Sequence, residues 1–168
     1  MKLGLITSIC EGMTFEEVVD FAAENGLECL EVACWPQGGA QRRYAGVSHI
    51  DVANLTEEKA KGIKDLCAAK GVEISALAYY PNTMDPDLEK RQSYIDHLYK
   101  LIDASAMLDV NMITTFVGRI SDKSVSENLE EVKKVWPPIL EYAKEKGVKV
   151  AIENCPMLFT EDEWPGGQ

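Results

Sequence analysis

The position that most invites chemistry is Glu153, in the run Val148-Lys149-Val150-Ala151-Ile152-Glu153-Asn154. Side chains alternate along a strand, so Val148, Val150 and Ile152 share one face and Lys149, Ala151 and Glu153 the other. The aliphatic row suits a covering layer of helices. Glu153 is left on the opposite face at the carboxyl end of its strand, the end at which parallel barrels keep their reactive groups. A carboxylate there is placed for catalysis, or it caps a loop or pairs with a lysine. The segment Leu30-Glu31-Val32-Ala33-Cys34-Trp35 repeats the arrangement, with Leu30 and Val32 on one face and Glu31, Ala33 and Trp35 on the other. Glu31 reads either as a supporting carboxylate or substrate contact, or as a structural carboxylate paired with a nearby cation.

The elements that would carry these groups are legible in a recurring junction. Ala22-Ala23-Glu24-Asn25-Gly26-Leu27, Ala68-Ala69-Lys70-Gly71-Val72 and Ala143-Lys144-Glu145-Lys146-Gly147-Val148 each end a helical stretch on a glycine that leads into an aliphatic run. Glycine accepts the left-handed conformation that closes a helix, and helix feeding strand three times over is the pattern of a repeated βα unit. Thr14-x-x-Glu17 and Ser124-x-x-Glu127 fit the capping box, and Thr56 before Glu57 and Glu58 marks a third helix start. Phe15, Val18 and Ala22, then Ile63, Leu66 and Cys67, then Leu98, Leu101 and Ile102 recur at helical spacing. Pro137-Pro138 is expected to kink or split the fourth helix. Strands are predicted near residues 2–7, 28–34, 72–78, 110–117 and 148–154. They are short, apolar and separated by helices, as buried parallel strands are. A doubly wound sheet fits that pattern equally, but the turn Ser8-Ile9-Cys10-Glu11-Gly12-Met13 has neither of the glycine-rich phosphate motifs.

With 168 residues, 46% of them hydrophobic, the chain has the means to bury one core, and a single domain over 1–168 is expected. A net charge of −11 opposes the neutralisation of phosphates on which nucleic-acid binding rests, so no nucleic-acid partner is expected. Five cysteines, Cys10, Cys29, Cys34, Cys67 and Cys155, lie scattered without a CxxC pair and read as reduced thiols of a cytoplasmic protein. No apolar run reaches the length of a membrane span, and no membrane partner is expected.

Three segments together carry a resemblance. Val148 to Asn154 looks like the "hydrophobic-IEN" strand of the xylose isomerase-like barrels. Thr114-Thr115-Phe116-Val117-Gly118-Arg119 and Asp162-Glu163-Trp164-Pro165-Gly166-Gly167 are similar to segments of the sugar-active branch of that family. The resemblance implies an α/β fold: part of a TIM (β/α)8 barrel, about five parallel strands and four helices. A closed barrel usually takes about 250 residues, so closure within this chain is not expected.

The family likeness further implies a metal-dependent sugar or sugar phosphate isomerase or epimerase that removes a proton beside a carbonyl. In such a protein Glu153 would be one ligand to a divalent metal (Mn²⁺, Mg²⁺ or Zn²⁺) and a candidate acid-base. The remaining ligands in the family come from later strands, so the set is incomplete here and the segment is expected to be inactive by itself. Trp35, Tyr79, Phe116 and Trp164 would wall a small-molecule sugar, or serve only as packing. Arg119 would bind an anionic sugar substituent or form a surface ion pair. His49, in the long segment after the second strand, would approach substrate or be structural, while His97 reads as a structural residue inside the third helix. Two other readings stand beside this one. A non-catalytic half-barrel would self-associate through open sheet edges. The endonuclease branch of the family, by contrast, uses early-strand histidines where this chain has Tyr79-Tyr80 and Phe116.

Overall fold

The computed structural model describes residues 1–38 and 46–153, and within them the chain alternates strand and helix. The strands are β1 (Gly4–Ile6), β2 (Cys29–Ala33), β3 (Glu73–Ala78), β4 (Met112–Thr115) and β5 (Lys149–Ile152). The helices are α1 (Phe15–Glu24), α2 (Glu57–Lys70), α3 (Leu88–Met107) and α4 (Val125–Glu145), with a 3-10 turn at Thr7–Ile9. All neighbouring strands pair in parallel, in the order β1-β2-β3-β4-β5. A doubly wound sheet reverses its strand order at a switch point, and this sheet does not. The consecutive order is that of a barrel wall, open at β1 and β5 among the described residues.

Helix starts follow from local chemistry. Thr14 and Ser124 close capping boxes with Glu17 and Glu127, Thr56 accepts from the Lys59 amide, and Asp87 accepts from the amides of Glu89 and Lys90. The predicted glycines Gly26, Gly71 and Gly147 all have φ near +70° at the helix–strand turns. At the fourth turn, after α3, Asp109 and Asn111 occupy the left-handed region instead, each with φ 59°.

The expected break at Pro137-Pro138 does not split α4, which runs as one element of 21 residues. Both prolines lie on its exposed face, as do Lys133 and Lys134. The carbonyls that lose amide partners are therefore open to water, which removes most of the reason to break the helix.

One apolar core lies between the helices and one face of the sheet. Phe15, Val18, Val19 and Ala22 of α1, Cys67 of α2, Leu98, Leu101 and Ile102 of α3 and Ile139 and Ala143 of α4 meet Leu30, Val32, Leu77, Tyr79, Ile113 and Val148 there. The opposite face carries Glu31, Ala33, Ala76, Ala78 and Thr114. One irregularity sets its order. Leu30 pairs with Ile74 but Glu31 pairs with Ala76, so β3 holds an extra residue, Ser75, whose hydroxyl donates to the Leu30 carbonyl at 3.0 Å. Among the described residues, no helix is long and apolar enough to cross a membrane. Cys10, Cys29, Cys34 and Cys67 are free thiols.

Candidate functional site

Register puts the two carboxylates singled out in the sequence on the same face of the sheet. Glu31 faces away from the helices on β2. Thr114 of β4 stands opposite Ala78 on one side and Ala151 on the other, so it shares that face. The ladder continues one step beyond β5, where the Glu153 amide donates to the Thr115 carbonyl at 3.0 Å. Alternation then aligns Glu153 with Phe116, two residues beyond Ala151 and Thr114 respectively.

Across this face the side chains meet. Glu31 Oε1 accepts hydrogen bonds from the Tyr80 hydroxyl and from Thr114 Oγ1, the latter at 2.8 Å. The Tyr80 ring lies against Phe116 with centroids 4.6 Å apart. Burial, followed by the hydrogen bond to Glu31, pushes the Tyr80 phenol well above its ordinary pKa, and the charge of Glu153 acts in the same direction. The phenol thus stays protonated and donates. Small side chains at Ala33, Ala76 and Ala78 on the same face leave the middle of the sheet low around this cluster.

Tyr80 and Thr114 were not among the candidates the sequence offered for individual roles, although Thr114 lies within the family-like Thr114-to-Arg119 segment. Strand parity would have found Thr114, since it alternates with Ile113 of the core. Tyr80 was hidden by the extra residue at Ser75.

The other candidates are placed elsewhere. Tyr79 is 1% exposed and lies in the core, its ring edge-on to Trp35 at 4.9 Å and to His97 at 4.6 Å. Trp35, half-buried, thus belongs with Tyr79 and not with Glu31. His97, read as structural, is buried, and its Nε2–H donates to the Cys34 carbonyl at 2.8 Å, fastening α3 to the end of β2. His49 lines a groove with Phe15, Ile50, Lys59, Ile63 and Leu66, between α1 and α2. Its imidazole is held below its ordinary pKa by burial, against contacts with the backbone of Cys10 and Met13. Arg119 sits in the loop after β4, where its guanidinium Nη2 donates to the Ser121 carbonyl at 3.0 Å. Trp164 lies outside the described residues, as does the segment Asp162–Gly167.

A divalent cation needs several convergent donors. Among the described residues no group of three or more His, Cys, Asp or Glu side chains converges. Glu31 Oε1 is already engaged by two hydroxyls. The described residues by themselves do not make a complete cation site.

Known proteins share the architecture. The chain is 26% identical over 146 residues to an uncharacterized protein, YfiH, of Bacillus subtilis (strain 168), a match spanning 83% of this chain and 44% of that protein. A solved structure of D-psicose 3-epimerase with D-tagatose, from Clostridium cellulolyticum H10, superposes with a TM-score of 0.66 at 16% identity, covering 89% of this chain and 51% of the epimerase. The IolI protein solved with a zinc atom superposes with a TM-score of 0.64 at 14% identity, over 90% of this chain and 51% of that protein. The chain therefore spans about half the length of these proteins, and the superpositions carry the fold alone. A family model described as the xylose isomerase-like TIM barrel matches residues 19–165, which covers β2 through β5 and all the helices from the middle of α1 onward; the chain belongs to that family.

Proposed function

We propose that this chain supplies part of a metal-dependent isomerase or epimerase of sugars or sugar phosphates, in which a proton is moved on the carbon beside a carbonyl. The observation that supports this most is the register that puts Glu31 and Glu153 on the same face of the sheet, away from the helices, with Phe116 on that face too. In this reading Glu153 is a cation ligand and acid-base, Glu31 contacts substrate, and Phe116 offers an apolar wall. Trp164 and Arg119 are assigned to the substrate side with them. Trp35, Tyr79 and His49 act from behind, by packing. A divalent cation, held with donors beyond the described residues, would polarise the sugar carbonyl. The chain alone is inactive, and its setting is cytoplasmic, in keeping with its free thiols.

The test is deuterium incorporation beside the carbonyl of a ketohexose panel, with and without phosphate, by the full-length protein in heavy water with Mn²⁺. The expected result is exchange that Glu153→Gln lowers by about 100-fold or more, the scale of general acid–base catalysis. Absence of exchange with every member of the panel would overturn the reading. Tight, stoichiometric Mn²⁺ or Zn²⁺ binding by residues 1–168 alone in calorimetry would overturn the claim that its ligand set is incomplete.

The open edges support a second role, self-association. Among the described residues β1 and β5 each pair on one side only, and Leu3 and Ile152 at those edges are 66% and 49% exposed. Unpaired edges invite pairing with another chain. Sedimentation of the chain is expected to show concentration-dependent dimers or larger species, and a monomer at all concentrations would refute it.

A further inference from the structure

The cluster around Tyr80 has an unused recognition capacity. Glu31 spends one oxygen, Oε1, on the Tyr80 and Thr114 hydroxyls. Among the described residues no hydrogen bond reaches its Oε2. The Tyr80 oxygen donates its single proton to Glu31 and, with the Thr114 hydroxyl as its other polar neighbour, keeps one lone pair for a ligand. Two acceptor oxygens, one charged and one phenolic, therefore sit side by side across a hydrogen bond that fixes their spacing. The neighbouring Phe116 ring adds an apolar face. Their positions are over-determined: the phenol is held by Glu31 and by ring packing, and Glu31 is held by two hydroxyls, one from β4 and one from the segment just after β3.

We propose that Glu31 and Tyr80 form a subsite for a vicinal diol, with adjacent hydroxyls of the ligand donating to Glu31 Oε2 and to the Tyr80 oxygen while its C–H face lies on Phe116. A pair of acceptors side by side matches the two adjacent hydroxyl donors of a polyol, and the Phe116 ring matches its C–H face, which an isolated alcohol does not offer together. Thr114 is a positioning residue, since it orients the carboxylate and is not itself turned to the ligand. The subsite rests on the sugar reading only for the identity of the natural ligand; its chemistry requires hydroxyls and no carbonyl.

That difference separates the tests. D-sorbitol carries vicinal hydroxyls but no carbonyl, so its binding to the full-length protein reads the subsite without the reaction. Calorimetric competition against D-tagatose is expected to show D-sorbitol binding that Tyr80→Phe weakens by about 3- to 10-fold and Glu31→Gln by about 10-fold or more, as neutral and charged hydrogen bonds do. Both substitutions nearly preserve shape, and unchanged circular dichroism establishes folding. Because the two residues act as a unit, the double variant is expected to lose less than the product of the single losses. In turnover assays the variants are expected to raise KM more than they lower kcat. If polyol binding follows this pattern while no ketose exchanges deuterium, the subsite stands and the isomerase reading fails. Unchanged polyol affinity and KM in folded Tyr80→Phe and Glu31→Gln would overturn the subsite and leave the isomerase reading intact. A wild-type protein that binds neither D-sorbitol nor D-tagatose would overturn both.

Discussion

The side-chain amide of Asn82 brackets the backbone of Arg119: Nδ2 donates to the Arg119 carbonyl at 2.9 Å and Oδ1 accepts from the Arg119 amide at 2.8 Å. Oδ1 also accepts from the Met84 amide at 3.1 Å, and the neighbouring Thr83 hydroxyl donates to the Val117 carbonyl at 2.7 Å. The loops after β3 and β4, which flank Tyr80 and Phe116, are thereby stitched together. Asn82→Ala leaves several of these backbone groups without partners and is expected to lower stability by about 1–3 kcal/mol, read by urea unfolding.

Gly118 completes that stitch. Its φ is +76°, and a Cβ there would stand 2.1 Å from Asn82 Oδ1. Gly118→Ala adds left-handed strain to a steric overlap with a side chain that is itself tethered. A loss of about 2–4 kcal/mol is expected, since the strain alone is worth about 1–2 kcal/mol. An equal thermal midpoint for Gly118→Ala and wild type would contradict the close approach.

Asp109 takes a left-handed turn with φ 59°, and its carboxylate pairs with Lys64 at 2.8 Å on an exposed surface. Exposed ion pairs contribute little, whereas relief of left-handed strain contributes about 1 kcal/mol. Asp109→Gly is therefore expected to stabilise only slightly, by about 0–0.5 kcal/mol, once the added freedom of the unfolded glycine is subtracted. A denaturant midpoint below that of wild type would show that the ion pair dominates.

Burial holds the imidazoles of His97 and His49 below the ordinary 6.5. The folded state therefore favours the neutral rings, and below that pH the unfolded chain binds more protons than the folded one. Stability from both residues is fully present above pH 6.5 and falls as pH drops through the lowered folded values. Thermal midpoints measured from pH 8 to 5, about the range over which histidine titrates, should decline on the acid side. His97→Gln, which keeps a donor for the Cys34 carbonyl, should flatten part of that decline.

Leu101 is fully buried among residues of α3 and the sheet. Leu101→Ala should cost about 2–5 kcal/mol by loss of transfer energy and creation of a cavity. A loss under 1 kcal/mol in chemical denaturation, well below that range, would mean that the helix layer is loosely packed.

Most of the architecture was legible because it rests on local chemistry. The capping boxes at Thr14 and Ser124 and the glycine turns at Gly26, Gly71 and Gly147 each stand in the sequence as recognisable patterns. The fourth turn escaped notice because Asp109 and Asn111 do there what glycine does elsewhere, and Asp87 caps α3 without a box partner. Pro137-Pro138 misled because a break depends on whether the freed carbonyls reach water, which is a matter of the helix face. In the candidate site, Glu31 and Glu153 emerged from simple alternation. Tyr80 did not. Counted from Val72 and Ile74, which face the helices, unbroken alternation turns Tyr79 away from them, and pairing with β2 is needed to see that Ser75 is an added residue.

That added residue works as a phase setting for everything downstream in its strand. Two adjacent phenols, chemically identical, receive opposite assignments: Tyr79 packs against His97, and Tyr80 holds Glu31. Loss of the single codon for Ser75 would exchange them. Glu31 would then lose one of its two hydroxyl partners with every residue of the cluster still present in the chain, so the inner face depends on a length as much as on identities.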